Sequence, residues 1–249
     1  MSTVTEHYRS LLAKHYSWMI GVSFEEKVAE QKALLEQALS DSGALATHGM
    51  ALDLGCGPGF QTIALAELGF SPVVAVDTST ELLRELEEHK GSYPIETREA
   101  DLASLEDIEL SGEAVMAVCM GDTLTHLPSR EGVARLFTAV FRKLASGGTF
   151  VITYRDLTSE LTGVDRFLPV RGDDRRIMTC FLEYESADAV VVSDLVHVRG
   201  ENGWTLEKSS YRKLRLSQQW VADALTKAGF SIRLQGPAGR LLLAVARKH

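Results

Sequence analysis

The chain has 249 residues, 45% hydrophobic and 24% charged, a balance that excludes disordered, collagen-like and low-complexity classes. Its formal net charge of −8 disfavours nucleic acid as a main partner, because duplex binding draws on a basic surface. Apolar runs such as 114–120 and 241–246 fall far short of the roughly 18 residues of a membrane helix, and the N-terminus lacks a signal-peptide core. The scattered Cys56, Cys119 and Cys180 suggest neither disulfides nor a metal site. A cytoplasmic protein with no metal and no membrane contact is expected.

From the N-terminus, residues 5–40 read as helices, with Phe24, Val28, Leu35 and Leu39 on one face. MALDLGCG (50–57) is then a short apolar run ending in glycines, the mark of a buried strand. FQTIALAELGF is a helix closed by Gly69, PVVAVD a second buried strand, and STELLRELEEHK a helix capped by Ser79 or Thr80. Residues 95–100 form a weaker strand ending at Asp101, and 114–120 a strong one. Ser129 caps a helix over EGVARLFTAVFRKLA, Gly147 and Gly148 end it, and 149–154 is another strand. Strands alternating with helices predict an α/β fold whose parallel sheet is covered on both faces. The alternation breaks after Asp156. Residues 176–217 carry three stretches rich in Val, Ile, Thr and aromatics, read as antiparallel strands with turns. A helix returns at 218–228, and the C-terminus reads as two strands around Gly-Pro-Ala-Gly. The expected organisation is a helical cap over 1–49, a core over 50–158 and 218–249, and an antiparallel β insert over 159–217.

The informative segment is Asp53-Leu54-Gly55-Cys56-Gly57-Pro58-Gly59-Phe60, joining a buried strand to a helix. Closely spaced glycines let backbone approach a ligand, and the helix start presents free N–H groups. Asp77 ends the next strand, where an acid typically accepts hydrogen bonds from ribose hydroxyls. Asp101 ends the third strand, so three carboxylates are expected to form one acidic rim that suits a cationic or hydroxyl-rich ligand. The dinucleotide pattern G-x-G-x-x-G fails, because Phe60 stands at its third glycine.

This segment resembles the class I S-adenosylmethionine-dependent methyltransferases, whose acid-x-G-x-G-x-G motif is matched by Asp53, Gly55, Gly57 and Gly59. The resemblance implies a Rossmann-like, doubly wound, seven-stranded and mostly parallel sheet, with an antiparallel edge partner among the last two strands. It implies S-adenosylmethionine as cofactor and S-adenosylhomocysteine as product. Asp77 would hold the ribose, Asp101 and Leu102 would contact the adenine, and Gly55 and Gly57 would pass close to the methionine part. Cys56, Gly59, Thr78 and Met120 complete the expected cofactor contacts, with Asp53.

Methyl transfer is a one-step displacement, and a general base is needed only when the acceptor has a proton to lose. Asp122 and His126 are the favoured candidates for base or orienter, ahead of Asp156 and His197. Tyr154 and Arg155 end the fifth strand and are expected to face the acceptor. Tyr16, with Tyr8, Trp18 and Met19, is expected to cover the cofactor, since aromatic faces suit a sulfonium. Arg166, Tyr211 and Arg212, with Arg171, Arg175, Arg176 and Arg215, are candidates to hold an anionic group on a small-molecule acceptor. The plain alternative for these arginines is surface pairing with Asp165, Asp173, Asp174 and Glu207. Two further alternatives are a nicotinamide-dependent oxidoreductase and a non-catalytic S-adenosylmethionine-binding protein. The insert is expected to be a substrate lid or a homodimer contact.

Overall fold

The structure is a computed structural model and describes residues 3–43 and 48–249. Residues 1, 2 and 44–47 of the expected helical cap lie outside the described residues. The N-terminal segment is helical but broken. A Thr3–Glu6 capping box starts α1 (Val4–His7), a π-helical turn follows at Tyr8–Leu12 and a 3-10 turn at Ala13–His15, and α2 spans Tyr16–Ile20. Gly21, at φ 90°, ends α2, and Ser23 with Glu26 forms a second capping box for α3 (Phe24–Asp41).

The core alternates as read. Its elements are β1 (Ala51–Leu54), α4 (Phe60–Glu67), β2 (Val73–Asp77), α5 (Thr80–His89), β3 (Ile95–Glu99), β4 (Ala114–Cys119), α6 (Arg130–Lys143) and β5 (Leu144–Tyr154). After an intervening segment, α7 (Gln218–Lys227), β10 (Ser231–Ala238) and β11 (Leu241–Arg247) complete it. The seven-stranded sheet has the order β10-β11-β5-β4-β1-β2-β3. Strands β1 to β5 pair in parallel, while β11 is antiparallel to both β5 and β10. One expectation is corrected here. The antiparallel strand is not at the edge, because the terminal hairpin folds so that β11 takes the place beside β5 and β10 lies outside it.

Alternate residues of each strand feed two apolar layers. Leu52, Val74, Ala117, Phe150 and Ile152 pack with α6 and α7 on one face, and Ala51, Ala75, Val118 and Val151 with α3 and α4 on the other. Burial on both faces is why these strands appear in the sequence as unbroken apolar runs.

The insert is an antiparallel sheet of four strands, β6 (Phe167–Gly172), β7 (Arg176–Tyr184), β8 (Ala189–Gly200) and β9 (Gly203–Leu214), in sequential order. Three stretches were expected; β6 is the addition. It is an edge strand carrying Pro169, a residue that edges tolerate because its missing N–H costs no ladder bond there. One face of this sheet packs against the N-terminal segment, where Leu11 and Leu12 meet Met178 and Val196. No described helix is long and apolar enough to cross a membrane.

Candidate active site

The glycine loop is shaped by what surrounds it. Gly55 has φ +76°, and a Cβ there would stand 2.2 Å from the Thr123 Cγ2 atom. Gly59 has φ +98°, and its Cβ would stand 2.3 Å from Leu86 Cδ1. At Gly57, φ +54°, a Cβ would meet only the Tyr16 ring, at an ordinary contact of 3.9 Å. The three glycines therefore serve different needs: close packing at Gly55 and Gly59, and a bare approach for a ligand at Gly57. The Gly57 N–H donates to Asp77 Oδ2 at 2.8 Å, and the Ser79 N–H donates to Oδ1 at 2.9 Å. Burial raises the Asp77 pKa, and these backbone donors pull against that rise.

Two cavities meet at this loop. The smaller, about 140 Å³, is lined by Gly57, Asp77, Thr78, Ala100, Asp101, Leu102 and Leu82, and is roofed by Val4, Thr5 and Tyr8 of the N-terminal segment. The larger, about 1520 Å³, is bounded by Cys56, Met120, Asp122 and Arg155 from the core, by Met178, Cys180, Asp194, Tyr211 and Lys213 from the insert sheet, and by the β10–β11 hairpin. Tyr8, Tyr16, Gly55, Thr123 and His126 line both.

The charged groups at the junction are constrained. Asp122 Oδ2 accepts from Lys213 Nζ at 2.5 Å, and Oδ1 accepts from the Arg155 N–H at 3.0 Å and the Thr125 hydroxyl at 2.9 Å. Burial opposes its ionisation, but Lys213 and the other neighbours outweigh that and its pKa is lowered. Burial, and then Lys213, pushes the His126 imidazole down to about 3, so it is neutral at ordinary pH. Its Nε2 is buried and has no hydrogen-bond partner, with Tyr8 and Tyr211 rings 5.8 Å and 5.5 Å away. Burial also raises the phenols of Tyr8, Tyr16 and Tyr211, Tyr16 to about 12.

Residues 52–152 match a family model described as a methyltransferase domain. Over these residues the chain is similar to methyltransferase domains. It is 34% identical over 146 residues to glycine N-methyltransferase of Mus musculus, a match covering 52% of this chain and 47% of that protein. The chain thus spans about half the length of the curated relatives it matches. The CcbJ methyltransferase from Streptomyces caelestis shares the fold at TM-score 0.76 and 20% identity, with 97% of each chain covered. The sugar N-methyltransferase KedS8 from Streptoalloteichus does so at TM-score 0.70 and 18% identity, covering 100% of this chain and 93% of that one.

S-adenosylmethionine is the cofactor of such a methyltransferase domain, and the smaller cavity suits its adenosine part. Asp77 and Asp101 offer carboxylate acceptors for hydroxyl and amino groups, while Leu82, Leu102 and Leu127 offer apolar surface to a flat base. Asp101 also caps the following turn through the Ala103 N–H at 2.8 Å.

Several expected residues stand elsewhere. Asp53 is 1% exposed, accepts from the Thr62 hydroxyl at 2.6 Å and lines neither cavity, so the rim has two carboxylates and not three. Burial pushes its pKa up to about 7. Gly59 lines neither cavity and serves packing against Leu86. Tyr154 is fully buried in the core with Phe150 and Ile152, because it shares their strand face; Arg155, one residue on, reaches the cavity. Arg166 lies over the Phe181 ring, and Arg212 is held by Glu185, both outside the cavities. Arg215 is buried, binding Glu160 and the carbonyls of Leu157 and Thr158. Trp18 donates to Asp173 at 2.6 Å with Arg171 and Arg176 over its ring, pinning the N-terminal segment to the insert, while Tyr8 and Tyr16 line both cavities. Asp156 accepts from Thr158 outside the cavities. His197 pairs across its sheet with the exposed Ile177 and Leu206, on the face away from the cavity. The residues that the sequence reading missed are Thr123, Asp194 and Lys213. For the last two the signal was present: Asp194 alternates with Val192 and Val196, and Lys213 with Tyr211.

Proposed function

We propose that this protein moves a methyl group from S-adenosylmethionine to an amine nitrogen of a small molecule. The observation that carries the reading is the junction of the two cavities at Tyr8, Tyr16, Gly55, Thr123 and His126. A cofactor in the smaller cavity and an acceptor in the larger would meet there. The bound cofactor supplies an activated methyl group on a cationic sulfur. Asp77 and Asp101 would hold its hydroxyl and amino groups, Gly55 and Gly57 would let it pass close to backbone, and Leu102 would pack on its base. Thr78 lines the smaller cavity, and Cys56 and Met120 line the larger.

The acceptor class follows from the groups in the larger cavity. A hydroxyl acceptor needs a base with a pKa near the working pH. His126 near 3, the lowered Asp122 and the raised tyrosines do not meet that need. A neutral amine has its lone pair free and gains positive charge as it is methylated. Tyrosine faces and carboxylates stabilise such a charge. His126 and Asp122 therefore act as orienting groups: His126 through its free Nε2, Asp122 by fixing Lys213 and the Arg155 backbone. Arg155 and Tyr211 line the acceptor space, and the insert walls it. The sugar and glycine N-methyltransferases among the similar proteins support an amine on a small polar acceptor.

The test is transfer of a labelled methyl group from S-adenosylmethionine to a panel of paired amino and hydroxy compounds, glycine and amino sugars included. Label is expected on nitrogen. Label on oxygen alone would overturn the amine reading.

A further inference from the structure

Asp194 is a buried carboxylate set between valines on its own strand. On the inward face of β8 it stands between Val192 and Val196, opposite Cys180 of β7, and it is 4% exposed. It nevertheless lines the larger cavity. Burying a carboxylate there is costly unless something binds it. Among the described residues, no lysine or arginine pairs with it. It pairs with His7 Nε2, 3.0 Å from Oδ2, and the Cys180 thiol beside it is only a weak donor. Asp122 differs, since both of its oxygens are engaged by Lys213, Arg155 and Thr125. His7 is fully buried and stacks on Tyr211, with ring centroids 4.1 Å apart. It belongs to α1, the same short helix whose Val4 and Thr5 roof the smaller cavity.

We propose that Asp194 is the acceptor-binding carboxylate, accepting a hydrogen bond from the neutral amino group of the acceptor and stabilising the ammonium that methylation creates, and that His7 is the positioning residue that orients it. The inference rests on the amine reading above and goes beyond it, by assigning the charge that selects the acceptor. It also joins the two cavities, because the segment that closes over the cofactor brings the residue that sets Asp194. An acceptor with a hydrogen-donating neutral amine is favoured, and one presenting a carboxylate to this point is rejected by like charge.

The test uses the full chain saturated with S-adenosylhomocysteine and the probe tetramethylammonium, a minimal methylated ammonium. Binding is read from the methyl resonance of Met178, which lines the same cavity. The wild type is expected to show a saturable shift. Asp194→Asn is expected to bind the probe roughly tenfold more weakly or worse, with affinity for S-adenosylhomocysteine unchanged. Arg212→Ala, outside the cavities, is expected to match the wild type. His7→Gln, which keeps an Nε2 donor, should retain probe binding that His7→Leu loses. No saturable shift in the wild type, or equal shifts in wild type and Asp194→Asn, overturns the assignment while leaving methyl transfer intact. If Asp194→Asn also loses S-adenosylhomocysteine, the His7 pair decides, and equal probe binding by His7→Gln and His7→Leu overturns it.

Discussion

The Gly57 N–H donates to the Asp77 carboxylate at 2.8 Å, tying the tip of the glycine loop to the end of the neighbouring strand. One side chain thus shapes the loop and faces the cavity that the loop borders. Each Asp77 oxygen accepts one backbone N–H and keeps a further lone pair for a ligand hydroxyl. Asp77→Ala removes both services. It is expected to weaken S-adenosylhomocysteine binding by roughly 1–3 kcal/mol, measured by titration calorimetry on folded protein. Unchanged affinity would place the ribose elsewhere.

The loop glycines should differ in their tolerance of a methyl group. Gly55→Ala and Gly59→Ala add overpacking to left-handed strain, against Thr123 and Leu86, and should each lose roughly 2–4 kcal/mol of folding stability. Gly57→Ala meets only the strain and should lose about 1–2 kcal/mol, with its larger effect on cofactor affinity. Urea denaturation and ligand titration of the three variants check the order. Equal stability losses would contradict it.

Much of this was legible before any coordinates. The buried strands at 51–54, 73–77 and 114–119 are mostly apolar, with Asp53 and Asp77 the exceptions, because both their faces are covered, and composition alone reveals that. The edge strand at 167–172 was not, since Pro169 and exposed positions give it no alternation. The breaks in the first helical segment depend on its packing against the insert sheet and Tyr211, contacts that no local pattern encodes. At the site, the cofactor side was the readable part, because backbone conformation demands glycine and strand-end acids. The acceptor side was less so: alternation marks Asp194 and Lys213 as inward polar residues, but their role needs the insert laid against the glycine loop. Tyr154 and Arg155 show the middle case: both were expected to face the acceptor, although alternation with Phe150 and Ile152 puts Tyr154 in the core.

His126 should not titrate in the physiological range. With burial and Lys213 holding its pKa near 3, the imidazole stays neutral from pH 5 to 9. Nitrogen-15 resonances of the ring are expected to be flat across that window. A transition centred near 6.5 would restore His126 as a proton acceptor and weaken the case against hydroxyl acceptors.

Asp53 makes a linkage prediction. Its pKa rises from an ordinary 3.8 to about 7 on folding, so the folded state holds that proton more tightly than the unfolded chain. The associated stability is complete below 3.8 and is lost as pH climbs to 7. Asn cannot ionise and keeps an acceptor for Thr62. The stability of the wild type relative to Asp53→Asn should therefore fall between pH 4 and 7, on the order of a few kcal/mol. Denaturation curves at three pH values test it. A pH-independent difference would mean that Asp53 is ionised throughout.

The most direct test of the whole account is calorimetric titration of the wild-type protein with S-adenosylhomocysteine, beside NAD as the competing class of ligand. The account predicts saturable binding of S-adenosylhomocysteine, one per chain, weakened by Asp77→Ala, and no binding of NAD. Folded protein that gives no signal with S-adenosylhomocysteine, or that binds NAD instead, would contradict it.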